Sequence, residues 1–405
     1  MQAWSPVAVP ATTQTFGPLR VFDSVSQELV QLDCDREVTM YVCGITPYDA
    51  THMGHAATYV AFDTLQRIWR ACGATVNYTQ NVTDVDDPLI ERAAATDRDW
   101  QDIAVEQTNL FRSDMEALRV IPPANYIGAV ESIDLVVERI NQLKAADAVY
   151  DLDGDLYYDI TKARLLGEIA HLSRDEMIAI FSQRGGDPQR PGKHDPLDAL
   201  LWRHERPNDP SWPTELGAGR PGWHIECAAI ALKYLGNTID VQGGGSDLKF
   251  PHHEMSAAHA ETATGEQPFA RAFMHTGMVA LNGEKMSKSL GNLVFVSKLT
   301  ASGIDPMAIR LTILNNHYRT EWEWFDSSLD TAVARLERWR AALSQPAGAL
   351  DITAQIGAAL TNDLDTPRAI GLIDEWAHAT LNGDDSDPSS PTLLSQTIDA
   401  LLGIA

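Results

Sequence analysis

At 405 residues with 44% hydrophobic content, the chain can bury the cores of two or three domains. Its 31 Lys and Arg face 56 Asp and Glu, a net charge of −25 that opposes a grip on a long polyanion and shifts expectation toward a small substrate. No apolar run reaches the roughly 18 residues of a membrane span. Met1–Pro10 lacks the basic patch and apolar stretch of a secretory leader, so a cytoplasmic protein is expected, with no membrane partner.

Residues 1–20 are rich in Pro and Thr and read as irregular. Glu37–Gly44 reads as a buried strand stopped by glycine, and a short turn leads to Thr51-His52-Met53-Gly54-His55. From Ala56 to Ala71 the period is helical, with Tyr59, Phe62, Leu65 and Ile68-Trp69 on one face. Ala74–Val82 is a second strand, running into Thr83. Strand, helix, strand predicts a Rossmann-like parallel sheet. Residues 100–150 hold two helical stretches broken at Pro122-Pro123. Tyr150–Pro221, with its Asp153-Gly154 turn, its Arg184-Gly185-Gly186-Asp187-Pro188 turn and many prolines, reads as an insertion. A helix at Trp223–Tyr234 and a strand at Thr238–Gln242, followed by Gly243-Gly244-Gly245, resume the α/β pattern. Residues 323–405 are helical in period, with a break at Gly383–Pro391 and no internal repeat.

His52 and His55 stand three apart at a helix start, with Thr51 as the expected cap. Free N–H groups and the positive dipole end attract phosphate there, and imidazoles can donate to its growing charge. Two ordinary helix histidines are the alternative. Lys285 and Lys288, within Lys285-Met286-Ser287-Lys288-Ser289, suit the outer phosphates of a nucleotide. Gly283 and Gly291 flank them as in a loop that closes on its ligand; a solvated basic loop is the alternative. Asp247, after the glycine run, suits ribose hydroxyls, although a plain turn is the commoner meaning of three glycines. The four cysteines, Cys34, Cys43, Cys72 and Cys227, show no paired spacing and read as reduced thiols or metal ligands. Cys43, Cys227, His252 and His253 supply donors that zinc accepts. Their spacing matches no zinc-finger pattern, and Cys43 at a strand end also reads as a small buried hydrophobe.

Read together, several segments resemble cysteinyl-tRNA synthetase. They are Cys43–Asp49, His52–Ala56, Gly222–Cys227, Gly243–Glu254 and Lys285–Ser289, and the likeness spans about Val38 to Trp324. The His52–His55 and Lys285–Ser289 tags match the HIGH and KMSKS motifs of class I synthetases. The resemblance implies ATP as co-substrate with Mg²⁺ on the phosphates, and one zinc held by Cys43, Cys227 and His252 that grips the substrate thiol. It implies catalytic roles for His52, His55, Lys285 and Lys288. Near the substrate it places Cys43, Gly44, Ile45, Thr46 and Thr58, together with Asn81, Val82 and Thr83. Trp223, Gly245, Ser246, Asp247 and Val279 complete the cysteinyl-adenylate pocket. Such selectivity has a physical need, since serine and cysteine are nearly isosteric while zinc prefers a soft thiolate.

The departures carry information as well. The synthetases have a glutamate ligand where Ser256 stands, an arginine where Ala57 stands, and an anticodon-reading region beyond the position of Ala405. These variants, with the Arg184–Pro188 turn, resemble the synthetase-derived amino-sugar ligases of mycothiol biosynthesis. That resemblance implies L-cysteine, ATP and glucosaminyl-inositol as substrates, amide formation at the sugar amine, no tRNA partner, and a monomer. Asp49, Glu226 and Asp247 are candidates for the base. A truncated synthetase charging tRNA is the alternative, and a non-catalytic cysteine or zinc binder is the third reading.

The implied fold is a class I synthetase Rossmann-like parallel sheet with an insertion domain and a C-terminal helical bundle. Its expected parts are an extension at 1–37, sheet halves at 38–115 and 222–275, and an insertion at 116–221. The KMSKS region at 276–324 and a bundle at 325–405 follow.

Overall fold

The computed structural model describes residues 1–12, 16–48, 51–164, 166–286 and 291–405. An N-terminal segment packs across the protein without regular structure, anchored by Trp4, whose Nε1 donates to the Val120 carbonyl at 2.7 Å. A hairpin of β1 (Arg20–Asp23) and β2 (Glu28–Gln31) precedes β3 (Glu37–Val42). Helix α1 (Met53–Ala71) leads to β4 (Thr75–Val82). After α2 (Asp87–Thr96) and α3 (Trp100–Ala117) comes β5 (Asn125–Gly128), which pairs in parallel with β4. The parallel sheet therefore extends past residue 116, into the span read as insertion. Four residues are too few to show a strand period, which is why the pattern alone missed β5.

Helix α4 (Ile133–Ala145) precedes an antiparallel sheet of β6 (Val149–Leu152), β7 (Asp155–Tyr158), β8 (Ala199–His204) and β9 (Gly219–Pro221), with α5 (Arg174–Gln183) between β7 and β8. Asp153 at φ 56° and Gly154 at φ 90° turn β6 into β7, as a two-residue hairpin requires. The chain then re-enters the main sheet through α6 (Trp223–Leu235), β10 (Ile239–Gly245), α7 (Glu254–Thr264) and β11 (Ala270–Thr276). A small sheet follows from β12 (Val279–Leu281) and β13 (Glu284–Lys285), joined after α8 (Val296–Ala301) and α9 (Pro306–Leu314) by β14 (Trp322–Glu323). The last helices are α10 (Asp326–Leu343), α11 (Thr353–Leu360), α12 (Thr366–Leu381) and α13 (Ser390–Leu402).

The main sheet has the order β11-β10-β3-β4-β5, all parallel. From β3 the chain moves one way to β4 and later returns on the other side to β10. The crevice between the carboxyl ends of β3 and β10 is thus the switch point where such sheets bind ligands. Side-chain alternation along β3 divides the core. Met40 and Val42 join one hydrophobic cluster with α1 and the C-terminal helices. Tyr41 and Cys43 join the other, with α4, α6 and α7. That alternation delivers the Cys43 thiol to the face covered by α6, where Cys227 lies.

Candidate active site at the switch point

The segment after β3 is held from behind by the end of β4. Asn81 Oδ1 accepts from Gly44 N at 2.8 Å, its Nδ2 donates to Thr83 Oγ1 at 3.1 Å, and Thr83 N donates to the Ile45 carbonyl at 3.0 Å. Val82 is fully buried in the sheet. A Cβ on Gly44 would lie 1.6 Å from the Asn81 carbonyl oxygen, so no other residue lets the strands approach this closely. Asn81, Val82 and Thr83 therefore sit behind Cys43–Thr46.

A cavity of about 490 Å³ opens in front, within the range of small-molecule sites. Cys43, Gly44, Ile45 and Thr46 line its base, with Trp223, Gly245 and Asp247 beside them. His52, His55, Thr58 and Val279 form the other wall. Ser246 opens a short 3-10 turn next to Asp247. The cap of α1 differs from the expected Thr51. His52 occupies the cap with φ −84° and ψ 167°, and its Nδ1 accepts from Gly54 N at 3.1 Å. Thr51 is buried and its carbonyl accepts from Val296 N at 3.2 Å, while Met53 N donates to the Val294 carbonyl at 2.9 Å. The stretch entering α8 is thereby tied to the entry of α1. His55 stacks on His52 with ring centroids 3.8 Å apart.

The backbone of Lys285 pairs with Ala280 in β13, and Met286 lines the cavity. Lys288, the rest of its tag and the expected closing loop lie outside the described residues, as does Asp49. Sequence reasoning also missed cavity residues. Thr276 ends β11 and its hydroxyl meets that of Thr58 at 2.9 Å. The hydroxyl of Tyr59 donates to the Cys43 carbonyl at 3.0 Å. Thr276 had a readable signal, since it is a hydroxyl residue just before Gly277, where a parallel strand's carboxyl end meets its ligand.

Cys43, which lines the cavity, meets Cys227 and His252 beneath it, and the three bring one ligand atom each within 4.8 Å of one another, all buried. The two sulfurs are 3.9 Å apart, and His252 Nε2 is 3.1 Å from the Cys227 sulfur. Tetrahedral zinc, with bonds of about 2.3 Å to sulfur and 2.0 Å to nitrogen, places such atoms roughly 3.8 and 3.5 Å apart. The donor set fits that ion. Burial and then the neighbouring Cys227 push the Cys43 thiol well up. Burial opposes ionisation of Cys227 too, but bonds with Cys43 and His252 outweigh it and hold that thiol well below its ordinary value. A cation between two buried thiols this close is the natural means of ionising both.

The surroundings orient the ligands. His252 Nδ1 lies 3.1 Å from His224 Nδ1, and burial, reinforced by His252, keeps His224 neutral. His252 can then donate through Nδ1 while Nε2 faces the sulfur, the arrangement seen around metal-bound imidazoles. Trp223 stacks on the His252 ring at 4.2 Å. The Ser256 hydroxyl donates to the His224 carbonyl at 3.0 Å. His253, the fourth member of the donor set read from the sequence, instead stands behind Cys43, with Nε2 3.2 Å from its sulfur and Nδ1 2.8 Å from His275 Nε2.

Residues 29–334 match the family of class I (C) tRNA synthetase catalytic domains. Over 409 residues the chain is 57% identical to the L-cysteine:1D-myo-inositol 2-amino-2-deoxy-alpha-D-glucopyranoside ligase of Kribbella flavida, with 100% of each chain covered. The chain belongs to this ligase family. A relative of the same name from Acidothermus cellulolyticus is 56% identical over 406 residues, again covering 100% of both chains. Among solved structures, Mycobacterium tuberculosis methionyl-tRNA synthetase in complex with methionyl-adenylate aligns with a TM-score of 0.65. The alignment covers 91% of this chain and 92% of that one at 16% identity, a likeness of fold. With the family match, it gives this chain the class I synthetase fold, a parallel α/β sheet with helices around it. Among the described residues no helix is long and apolar enough to cross a membrane.

Proposed function

We propose that the chain activates L-cysteine with ATP and transfers the cysteinyl group to the amine of glucosaminyl-inositol. The observation that carries this reading is the buried Cys43, Cys227 and His252 cluster, which reaches through Cys43 the cavity that His52 and His55 also line. In the first step a cysteine carboxylate oxygen attacks the α-phosphorus of ATP. The bond to pyrophosphate breaks and a mixed anhydride remains. His52 and His55, at the amino end of α1, stabilise charge growing on the phosphate oxygens. Lys285 and Lys288 are assigned the departing phosphates, with Mg²⁺ as their counter-ion. Asp247 is assigned the ribose.

Cys43, Cys227 and His252 would hold a zinc ion, one per chain, which when bound supplies a soft Lewis acid for the substrate thiol. Trp223 and the His224 imidazole keep the His252 ring oriented. In the second step the sugar amine attacks the anhydride carbonyl. The carbon–oxygen bond to AMP breaks, the nitrogen loses a proton, and an amide forms. A neutral acceptor suits a chain of net charge −25 better than a tRNA does. Relatives at 52% to 57% identity that bear the ligase name support the same choice. A cytoplasmic enzyme is in keeping with four free cysteines.

The test of the activation step is ATP–pyrophosphate exchange. It should depend on cysteine, with serine at least about 100-fold poorer, near 3 kcal/mol of discrimination. Equal exchange with serine contradicts thiol selection at the cluster.

A further inference from the structure

The turn Arg184–Pro188 ends α5 in the inserted module, outside the catalytic sheet, yet it reaches the segment that follows β10. The Arg184 guanidinium donates through Nη1 to the carbonyls of Asp247 and Phe250. That segment is irregular. A 3-10 turn at Ser246–Leu248 runs into a wider turn at Lys249–His253, and Phe250 interrupts the helical geometry with φ −133° and ψ 136°. An interrupted helix leaves carbonyls that need donors from elsewhere, and Arg184 supplies two charge-assisted bonds. The same few residues present Asp247 to the cavity and His252 to the thiol cluster.

The turn is itself firmly seated. Asp187 accepts from the Tyr157 hydroxyl and, at 2.9 Å, from Lys193 Nζ, whose side chain is 2% exposed. Gly186 N donates to the Phe181 carbonyl at 2.9 Å, and a Cβ at Gly186 would come within 2.5 Å of the Phe181 ring. That ring meets the edge of Phe250, with centroids 6.5 Å apart. One polar contact through Arg184 and one apolar contact through Phe181 thus run from the insertion to Phe250.

We propose that Arg184 is a positioning residue: by holding the Asp247 and Phe250 carbonyls it sets the Asp247 carboxylate and the His252 imidazole for the aminoacyl-adenylate. The kinetic part of this inference rests on the adenylation reading; the metal part does not. Side chains placed by a loop need such outside support, because a shift near 1 Å can cost on the order of 100-fold in rate.

The test compares full-length Arg184→Ala, Arg184→Lys and Gly186→Ala with the parent. Zinc affinity is measured by chelator competition, and the cobalt-substituted protein gives a d–d spectrum with and without cysteine. Exchange gives KM and kcat. Arg184→Ala is expected to weaken zinc by about 10-fold or more, as loss of outer support does. It should also shift the cobalt–cysteine spectrum and raise KM for cysteine more than it lowers kcat. Arg184→Lys keeps a donor and should recover most of each loss. Gly186→Ala, which leaves Arg184 in place but pushes the turn off Phe181, should move the same readouts by less.

Parent-like metal affinity and spectra in Arg184→Ala overturn the proposal. So does a collapsed unfolding transition in both Arg184 variants, which marks a purely structural residue. Absence of exchange in the parent protein refutes adenylation instead, and the metal readouts then decide the role of Arg184 alone.

Discussion

Replacing Asp63 by asparagine should destabilise the protein by about 3–5 kcal/mol, the cost of removing one partner from a buried ion pair. Asp63, Arg67 and Arg310 have no side-chain exposure. The carboxylate accepts from Arg67 Nε at 2.7 Å, from Arg310 Nη2, and from Ile121 N at 2.8 Å. The two guanidiniums then reach carbonyls of Leu118, Arg119, Asp399, Ala400 and Leu402. One carboxylate therefore joins α1, the strand approach after α3, α9 and the end of α13. The substituted amide would keep a bond from Ile121 N but bring its own NH₂ group toward two donors, with no charge to offset them. Against a typical total of about 5–15 kcal/mol this is a large loss. Urea denaturation, followed by tryptophan fluorescence, measures it. A loss below about 1 kcal/mol would refute the reasoning.

The pH dependence has a definite sign. Burial pushes the Asp63 carboxyl up, but Arg67 and Arg310 outweigh it and hold it below its ordinary value. A depressed folded value means a contribution present above the unfolded value of about 3.9 and lost as pH falls through the folded one. The stability gap between parent and Asp63→Asn should stay flat above about pH 4 and close below it.

Two further outcomes are expected. Cys227→Ala should lose metal and cysteine-dependent exchange together, as metal analysis and exchange assays will show, because two remaining ligands hold zinc poorly. A metal-free, fully active variant contradicts this. Gly44→Ala places a Cβ 1.6 Å from the Asn81 carbonyl oxygen, so Cys43 must move. Exchange should fall by about 100-fold or more, and unchanged kinetics would show that the strand ends tolerate displacement.

Much of this site was legible because each signal is local. Glu37–Gly44 reads as a buried strand stopped by glycine, and the Thr51–His55 tag stands at the turn into the helix of a βαβ unit. What escaped depends on distant partners. Asn125–Gly128 is a strand only because β4 lies beside it. Strand β10 runs on to Gly245 against glycine's poor strand propensity, since β11 pairs with it as far as Thr276. His52 displaced Thr51 as the cap because the Thr51 carbonyl is engaged by Val296. The pairing of Asp63 with Arg310 spans 247 residues, and no periodicity encodes it.

The acceptor separates an amino-sugar ligase from a tRNA synthetase. Enzyme-bound cysteinyl-adenylate, formed in advance and freed of ATP, should be divided between glucosaminyl-inositol and cysteine tRNA in rapid-quench experiments. Fast amide formation with the amino sugar, and no charging of tRNA, is the predicted result. Efficient tRNA charging that weakens steeply with added salt, or an adenylate left intact by the amino sugar, would contradict it.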